Sequence, residues 1–155
     1  MSATPLAASA EVDLSRLPHA SHISVRFRDM DGMAHVNHSV YFTYLEVART
    51  EYWFTMHGGP GGIDRFNFIV LKAQCHYRSP AVLGETVVVR NGITRMGNTS
   101  FTWEYELFDQ ASGRWIASAS TEMVMYDYAR KKPTRIPAEL RERIEAWQQQ
   151  LRDAT

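Results

Sequence analysis

Asp29-Met30-Asp31-Gly32-Met33-Ala34-His35-Val36-Asn37-His38 runs directly into Ser39-Val40-Tyr41-Phe42-Thr43-Tyr44-Leu45-Glu46-Val47-Ala48-Arg49. Two carboxylates and two imidazoles stand in a short loop, and an apolar stretch follows. The stretch predicts a helix from about His38 to His57, stopped by Gly58-Gly59. Asn37 or Ser39 is placed to cap its first turn. Val40, Tyr41, Tyr44, Leu45, Val47, Ala48, Tyr52, Phe54 and Met56 leave only a narrow polar stripe of Thr43, Glu46, Arg49 and Thr50. A helix this apolar is buried on more than one side, and a sheet wrapped around it would supply that burial. Its N-terminus offers unpaired N–H groups and a partial positive charge. A carboxylate beside such donors can attack, or activate water against, a carbonyl whose oxygen the donors stabilise. The stretch therefore points to acyl transfer or hydrolysis.

Outward from the helix the chain reads as strands. Upstream, His22–Arg28 alternates apolar and polar residues. Downstream, a Gly/Pro loop at Gly58–Gly62 precedes Phe66–Tyr77, Glu85–Met96, Ser100–Phe108 and Arg114–Tyr128, with breaks at Ser79-Pro80, Gly97-Asn98 and Asp109–Gly113. Ser100–Phe108 sets Phe101, Trp103, Tyr105 and Leu107 against Thr102, Glu104 and Glu106, so one face is buried and the other is wet or meets a partner. Pro137 opens a polar helix from Ala138 to about Leu151, whose thin stripe of Leu140, Ile144 and Trp147 suffices to pack on a surface. One buried helix with four or five antiparallel strands is an α+β pattern. The pattern alone does not choose among such folds.

The 155 residues suit one domain, read as residues 21–155 behind a disordered tail of residues 1–20 whose Ala/Ser-rich start, Met1 to about Ala10, lacks the features of a signal peptide. Seventeen basic and seventeen acidic residues cancel, so no bulk attraction to nucleic acid or an anionic membrane is expected. No run reaches membrane-spanning length. Cys75 is the only cysteine, which excludes an intrachain disulfide and fits a reducing cytoplasm; it reads as a small core residue.

The motif Asp29-x-Asp31-x-x-x-His35-Val36-Asn37, followed by Tyr41-x-x-Tyr44-x-Glu46-x-Ala48-Arg49, resembles the 4-hydroxybenzoyl-CoA thioesterase family of hotdog-fold acyl-CoA hydrolases. The order of elements from Ile23 to Tyr128 is similar to that family's, more loosely. The chain departs from it at Ala34, where many members have Gly, and at His38, where many have a second Asn. The resemblance implies a hotdog fold, with a curved antiparallel sheet wrapped round the long central helix. It implies hydrolysis of an acyl thioester without a metal or redox cofactor. Asp31 takes the position of the family's catalytic carboxylate, acting as nucleophile or as general base toward water, and the His38 backbone N–H takes that of the oxyanion donor. It also implies a homodimer or homotetramer with sheets paired edge to edge and active sites at the junction.

Each residue also has a plainer reading. Asp31 can be a loop carboxylate bonding a backbone N–H. Asp29 suits a structural partner of a backbone N–H or of Arg28. His35 is a candidate proton donor, although orienting its neighbours is the commoner role, and Asn37 braces the turn. Glu46 and Arg49 suit an ion pair, so loss of Glu46 is expected to cost stability more than turnover. Tyr41 stands at the acyl pocket. Arg90, Arg95, Arg130, Lys131 and Lys132 are candidate partners for the phosphates of coenzyme A, and Arg130-Lys131-Lys132 is the densest basic run; solvated surface charge is the alternative. Tyr41, Tyr44, Tyr52, Trp53 and Phe54 permit an aromatic or a fatty acyl group.

Several other chemistries are set aside. An EF-hand loop starting at Asp29 needs Gly at its sixth place and Glu at its twelfth, where Ala34 and Val40 stand. His35-x-x-His38 lacks the third ligand of a zinc site. No Gly-x-Ser-x-Gly elbow or phosphate-cradling glycine loop occurs. Coenzyme A or an acyl carrier protein is the expected thioester carrier. A non-catalytic acyl-thioester binder and a hotdog dehydratase are the alternatives.

Overall fold

The computed structural model describes residues 12–60 and 66–155. Its strands are β1 (His19–Ser24), β2 (Phe68–Tyr77), β3 (Thr86–Met96), β4 (Ser100–Asp109), β5 (Trp115–Asp127) and the short β6 (Lys132–Pro133); its helices are α1 (Val40–Met56) and α2 (Ala138–Asp153). All pairings are antiparallel, in the order β1-β3-β4-β5-β2, with β6 beside the end of β5. The sheet curls round α1, the hotdog arrangement expected from the motif.

The alternation in β4 sets the curl. Phe101, Trp103, Tyr105 and Leu107 are buried, with Thr102, Glu104 and Glu106 on the other face. Against them α1 lays Tyr41, Tyr44, Leu45, Ala48, Tyr52 and Trp53. Leu45, Leu107 and Ile116 have no exposed surface, and each such side chain contributes about 1.5–3 kcal/mol of apolar burial. Tyr52 meets the Trp103 ring edge-on at 4.9 Å. Glu46, Val47, Glu51 and Thr55 face outward, so the exposed stripe differs in part from the one read from sequence.

The first strand lies three residues earlier than its alternation predicts. Phe27, expected in the strand, is 83% exposed in a 3₁₀ turn over Phe27–Asp29. The Asp29 carboxylate takes the Arg26 N–H, and the Asp29 N–H returns to the Arg26 carbonyl. This local side-chain bond wins over continued sheet pairing. The expected tail boundary at residue 20 also falls too late. Residues 1–11 lie outside the described residues, but Leu14–Arg16 form a 3₁₀ turn, Leu17 is buried, and His19 already belongs to β1. Gly92 makes room for this segment, because a Cβ there would lie 2.5 Å from the Arg16 carbonyl oxygen. Cys75 is half-buried against the core.

A hydrogen-bonded chain joins β1, β3 and β4 beneath α1. Trp103 Nε1 donates to Asn91 Oδ1 at 3.1 Å, and Asn91 Nδ2 lies 3.0 Å from His19 Nδ1. An indole nitrogen only donates, so the Asn91 amide orientation is fixed and its nitrogen must donate to His19. His19 Nδ1 is therefore the acceptor, and the ring must be neutral. Burial lowers its pKa below the ordinary value; Glu51 opposes this shift and Arg90 reinforces it. The unfolded chain then binds the extra proton first, near about pH 6.5, so the His19 contribution is complete above that pH and is lost as pH falls below it. Denaturation midpoints should fall between about pH 8 and about pH 5.5. His19→Gln, which accepts the same bond without titrating, should flatten that slope; an unchanged slope would remove His19 as its source.

Candidate functional site

The loop before α1 is a miniature hairpin. Met30 and Val36 form an antiparallel bridge, Asn37 N–H donates to the Asp29 carbonyl, and Asp31 N–H donates to the His35 carbonyl. Ala34 closes the turn by donating to the Asp31 carbonyl, with φ at 59°. That left-handed conformation costs a residue with a Cβ about 1–2 kcal/mol. It explains why glycine is common there among the resembling proteins, and the turn forms with Ala34 all the same.

Asp29 anchors the loop. It is 2% exposed, and its carboxylate accepts from Arg26 N (2.9 Å), Arg26 Nη2 (2.9 Å) and Tyr44 Oη (2.8 Å). The structural partner is therefore Arg26 and not Arg28; the 3₁₀ turn brings the Arg26 side chain and N–H back to the same carboxylate. Burial acts to raise the Asp29 pKa, but the hydrogen bonds from Arg26 and Tyr44 outweigh it and hold the carboxyl below its ordinary range.

Asp31 is set differently. It is partly exposed, and one oxygen accepts the Met33 N–H at 2.9 Å. The plain loop role is thus present, yet the second oxygen has no partner among the described residues. Asp31 lines a cleft of about 280 Å³ with Met33, His35, Val36, His38, Tyr41 and, across the gap, Tyr77 to Pro80. His35 and His38 are both exposed.

The cleft opens on the N-terminus of α1. Asn37 braces that turn: its Oδ1 accepts Ser39 N at 3.0 Å and Ser39 Oγ at 2.6 Å, and its carbonyl accepts Val40 N. Ser39 makes no side-chain cap. The His38 N–H donates to nothing among the described residues, and His38 lines the cleft together with Asp31. Such a donor, backed by the helix dipole, can receive an oxygen that gains negative charge.

Of the substrate-binding candidates, only Tyr41 lines this cleft. Its hydroxyl accepts the Ala81 N–H at 3.1 Å, and the ring is buried. Arg95, Arg130, Lys131 and Lys132 are exposed elsewhere on the chain. The basic run follows β5, and Arg130 Nε lies 3.8 Å from Asp127 Oδ2. One chain does not bring these cations to Asp31, because β5 ends at the opposite end of the sheet. Arg90 is turned to the N-terminal segment, donating to the Leu17 carbonyl. Sequence reasoning missed Tyr77, Arg78, Ser79 and Pro80. Their only signal was the strand break at Ser79-Pro80, which marks a strand end without saying what it faces. Among the described residues no three His, Cys, Asp or Glu side chains form a metal-holding group.

Glu46 lies outside this cleft. It is 71% exposed and 4.0 Å from Arg49, at the outer limit of an ion pair. Arg49 is only 11% exposed, and its Nη1 lies 3.4 Å from the Tyr105 hydroxyl.

The sequence pattern of the thioesterase-like superfamily matches residues 25–144. The long-chain acyl-CoA thioesterase FadM of Escherichia coli K12 is 26% identical over 133 residues, covering 81% of this chain and 96% of that protein. A Thermus thermophilus thioesterase, solved in complex with coenzyme A and zinc, superposes with a TM-score of 0.77 at 28% identity, over 86% of this chain and 96% of its own. The PA2801 protein of Pseudomonas aeruginosa superposes with a TM-score of 0.71 at 33% identity, over 81% and 97%.

Two substitutions separate anchor from surface. Asp29→Ala removes a buried acceptor, leaves the Arg26 and Tyr44 donors without it, and should cost about 2–4 kcal/mol of stability. Glu46→Gln should cost less than about 0.5 kcal/mol, since an exposed ion pair contributes little. Urea titrations of both variants decide the ranking, and equal losses would contradict it.

Proposed function

Because this chain belongs to the thioesterase-like superfamily, we propose that it hydrolyses acyl-CoA thioesters at the Asp31 cleft. The reading is supported by one juxtaposition: Asp31, with one unengaged carboxylate oxygen, and His38, whose N–H is unengaged among the described residues, line the same cleft. The thioester carbonyl oxygen accepts from His38 N–H, which stabilises the charge that develops on it. Asp31 then either attacks the carbonyl carbon, forming an acyl-enzyme anhydride that water later cleaves, or takes a proton from water as it attacks. In both courses the C–S bond breaks, the thiolate leaves and is protonated, and the free acid is released. His35, on the same wall, orients the loop or relays the proton to the thiol. No metal or redox chemistry is required for this bond exchange.

Asp31→Asn keeps the shape and removes the charge. Turnover should fall about a hundredfold or more, with little change in melting temperature. Thiol release from a panel of aromatic and aliphatic acyl-CoAs measures it, and an active, folded Asp31→Asn variant would overturn the assignment. The same panel separates a hydrolase from a silent binder and from a dehydratase, which releases no thiol.

The functional unit we propose is a homodimer. β2 is a sheet edge, is exposed over most of its ten residues, and carries Leu71 at 59% exposure. A long bare edge of this kind is a template for pairing. Two-fold antiparallel pairing of β2 with its copy sets the Phe68 end of one strand beside the Tyr77 end of the other. The Tyr128 hydroxyl lies 3.4 Å from the Phe68 carbonyl oxygen, so the Arg130-Lys131-Lys132 run travels with that end. The partner's basic run would then approach the Asp31 cleft, where coenzyme A phosphates need cations. The single cysteine supports a reducing, cytoplasmic setting, and among the described residues no helix is long and apolar enough to cross a membrane.

Mixed dimers test the shared site. Asp31→Asn and a triple alanine variant of Arg130, Lys131 and Lys132 should each be impaired alone. Co-expressed with different tags and purified as heterodimers, they regain one intact site, restoring about half of wild-type turnover at low substrate. Heterodimers no better than the average of their parents would show that each site lies within one chain.

A further inference from the structure

Tyr77 ends β2 on the wall of the cleft opposite α1. Its hydroxyl donates to the His38 carbonyl oxygen at 2.7 Å, and its ring meets Tyr41 edge-on at 5.0 Å. The neighbouring tie across this gap is made by Val36 N–H, which donates to the Ala81 carbonyl before the helix begins. Tyr77 is thus the side chain that fixes the turn at His38 itself, the residue whose N–H is left without a partner. Its hydroxyl is protonated at neutral pH, as a phenol ordinarily is, and so can donate.

Building on the reading of the Asp31 cleft as a thioesterase site, we infer that Tyr77 is a positioning residue for the oxyanion donor. Its O–H holds the His38 carbonyl, and through the short Asn37–His38–Ser39 turn it sets the direction of the His38 N–H. His38 lies in a turn where two peptide planes meet: the Asn37 carbonyl, in the plane that carries the His38 N–H, accepts Val40 N–H, while in the next plane Asn37 Oδ1 grips the Ser39 N–H and Tyr77 grips the His38 carbonyl. Both planes that meet at the His38 Cα are then tied, which limits rotation about φ and ψ of His38 and so the drift of its N–H. Without the Tyr77 bond the donor leaves its alignment more readily, and hydrogen bonds weaken steeply once misaligned. Thioester binding in the ground state, which rests on the acyl wall and the carrier, is not touched by this tie.

Tyr77→Phe tests it, because it keeps the ring, the Tyr41 contact and the cleft wall while deleting the donor. With the best substrate among benzoyl-CoA, hexanoyl-CoA and palmitoyl-CoA, kcat should fall about tenfold while KM changes less than about twofold. The Ser39 amide signals in a ¹H–¹⁵N correlation spectrum should move, since they report the carbonyl that Tyr77 holds. A raised KM at unchanged kcat would make Tyr77 a wall residue only and overturn the inference, as would full activity of Tyr77→Phe beside an inactive Asp31→Asn. If Asp31→Asn is itself fully active, the reading of the cleft fails separately, and unmoved Ser39 signals in Tyr77→Phe then overturn the tether on its own terms.

Discussion

A carboxylate taken out of water must find donors, and at Asp29 the need organises everything around it. The Arg26 N–H and guanidinium come from the exit of the first strand, and the Tyr44 hydroxyl comes from the second turn of the central helix. Those donors converge only if the chain turns at Phe27–Asp29 and the helix enters at one depth. The carbonyl of Asp29 then pairs with Asn37, and the loop between them has little choice but to close as a hairpin. Asp31 owes its place on the cleft wall to this frame. The two acids of the motif therefore divide the labour: one is saturated with hydrogen bonds and structural, while the other keeps an oxygen open toward the cleft.

The helix imposes the second constraint. It is apolar on too many sides to lie on a flat sheet, so the strands must curve around it, and β4 supplies the alternating aromatic face that allows this. Curvature gives the sheet two edges in one chain. The N-terminal segment bonds to β3 and to the last helix beside the β1 edge, while β2 is bare and ends at the candidate site. The same strand thus presents a free edge and a cleft wall, so the proposed dimer and the proposed site meet on one element.

Much of the architecture was legible from periodicity. The alternation of Phe101, Trp103, Tyr105 and Leu107 reports a one-sided face, and the long apolar run after Asn37 reports a buried helix, because burial acts on every residue of those elements alike. The first strand misled because its alternation continues through Phe27, while a single carboxylate two residues on overrides it; competition between a side-chain bond and a ladder bond leaves no periodic trace. The motif gathered Asp31, His35, Asn37 and His38 because they are neighbours in the chain. It was silent about Tyr77 through Pro80, whose closeness to the cleft depends on how far the sheet curls. The distance of Arg130, Lys131 and Lys132 from Asp31 was equally hidden, since sequence order says nothing about which end of a sheet a strand finishes on. Likewise the three-residue spacing of Glu46 and Arg49 allowed a pair, but only the fold shows one partner buried beside Tyr105 and the other in solvent.

The N-terminal segment and the last helix meet on β3. Arg152 donates to the Ser15 carbonyl, Gln148 both donates to and accepts from the backbone of Ile93, and Gly92 leaves the gap through which the Arg16 backbone passes. The described chain is consequently almost a ring, closed by a seam on the side of the sheet order remote from β2. Topologically this makes the domain a good subject for circular permutation. Joining the described ends across the seam would leave the cleft and the bare strand edge undisturbed.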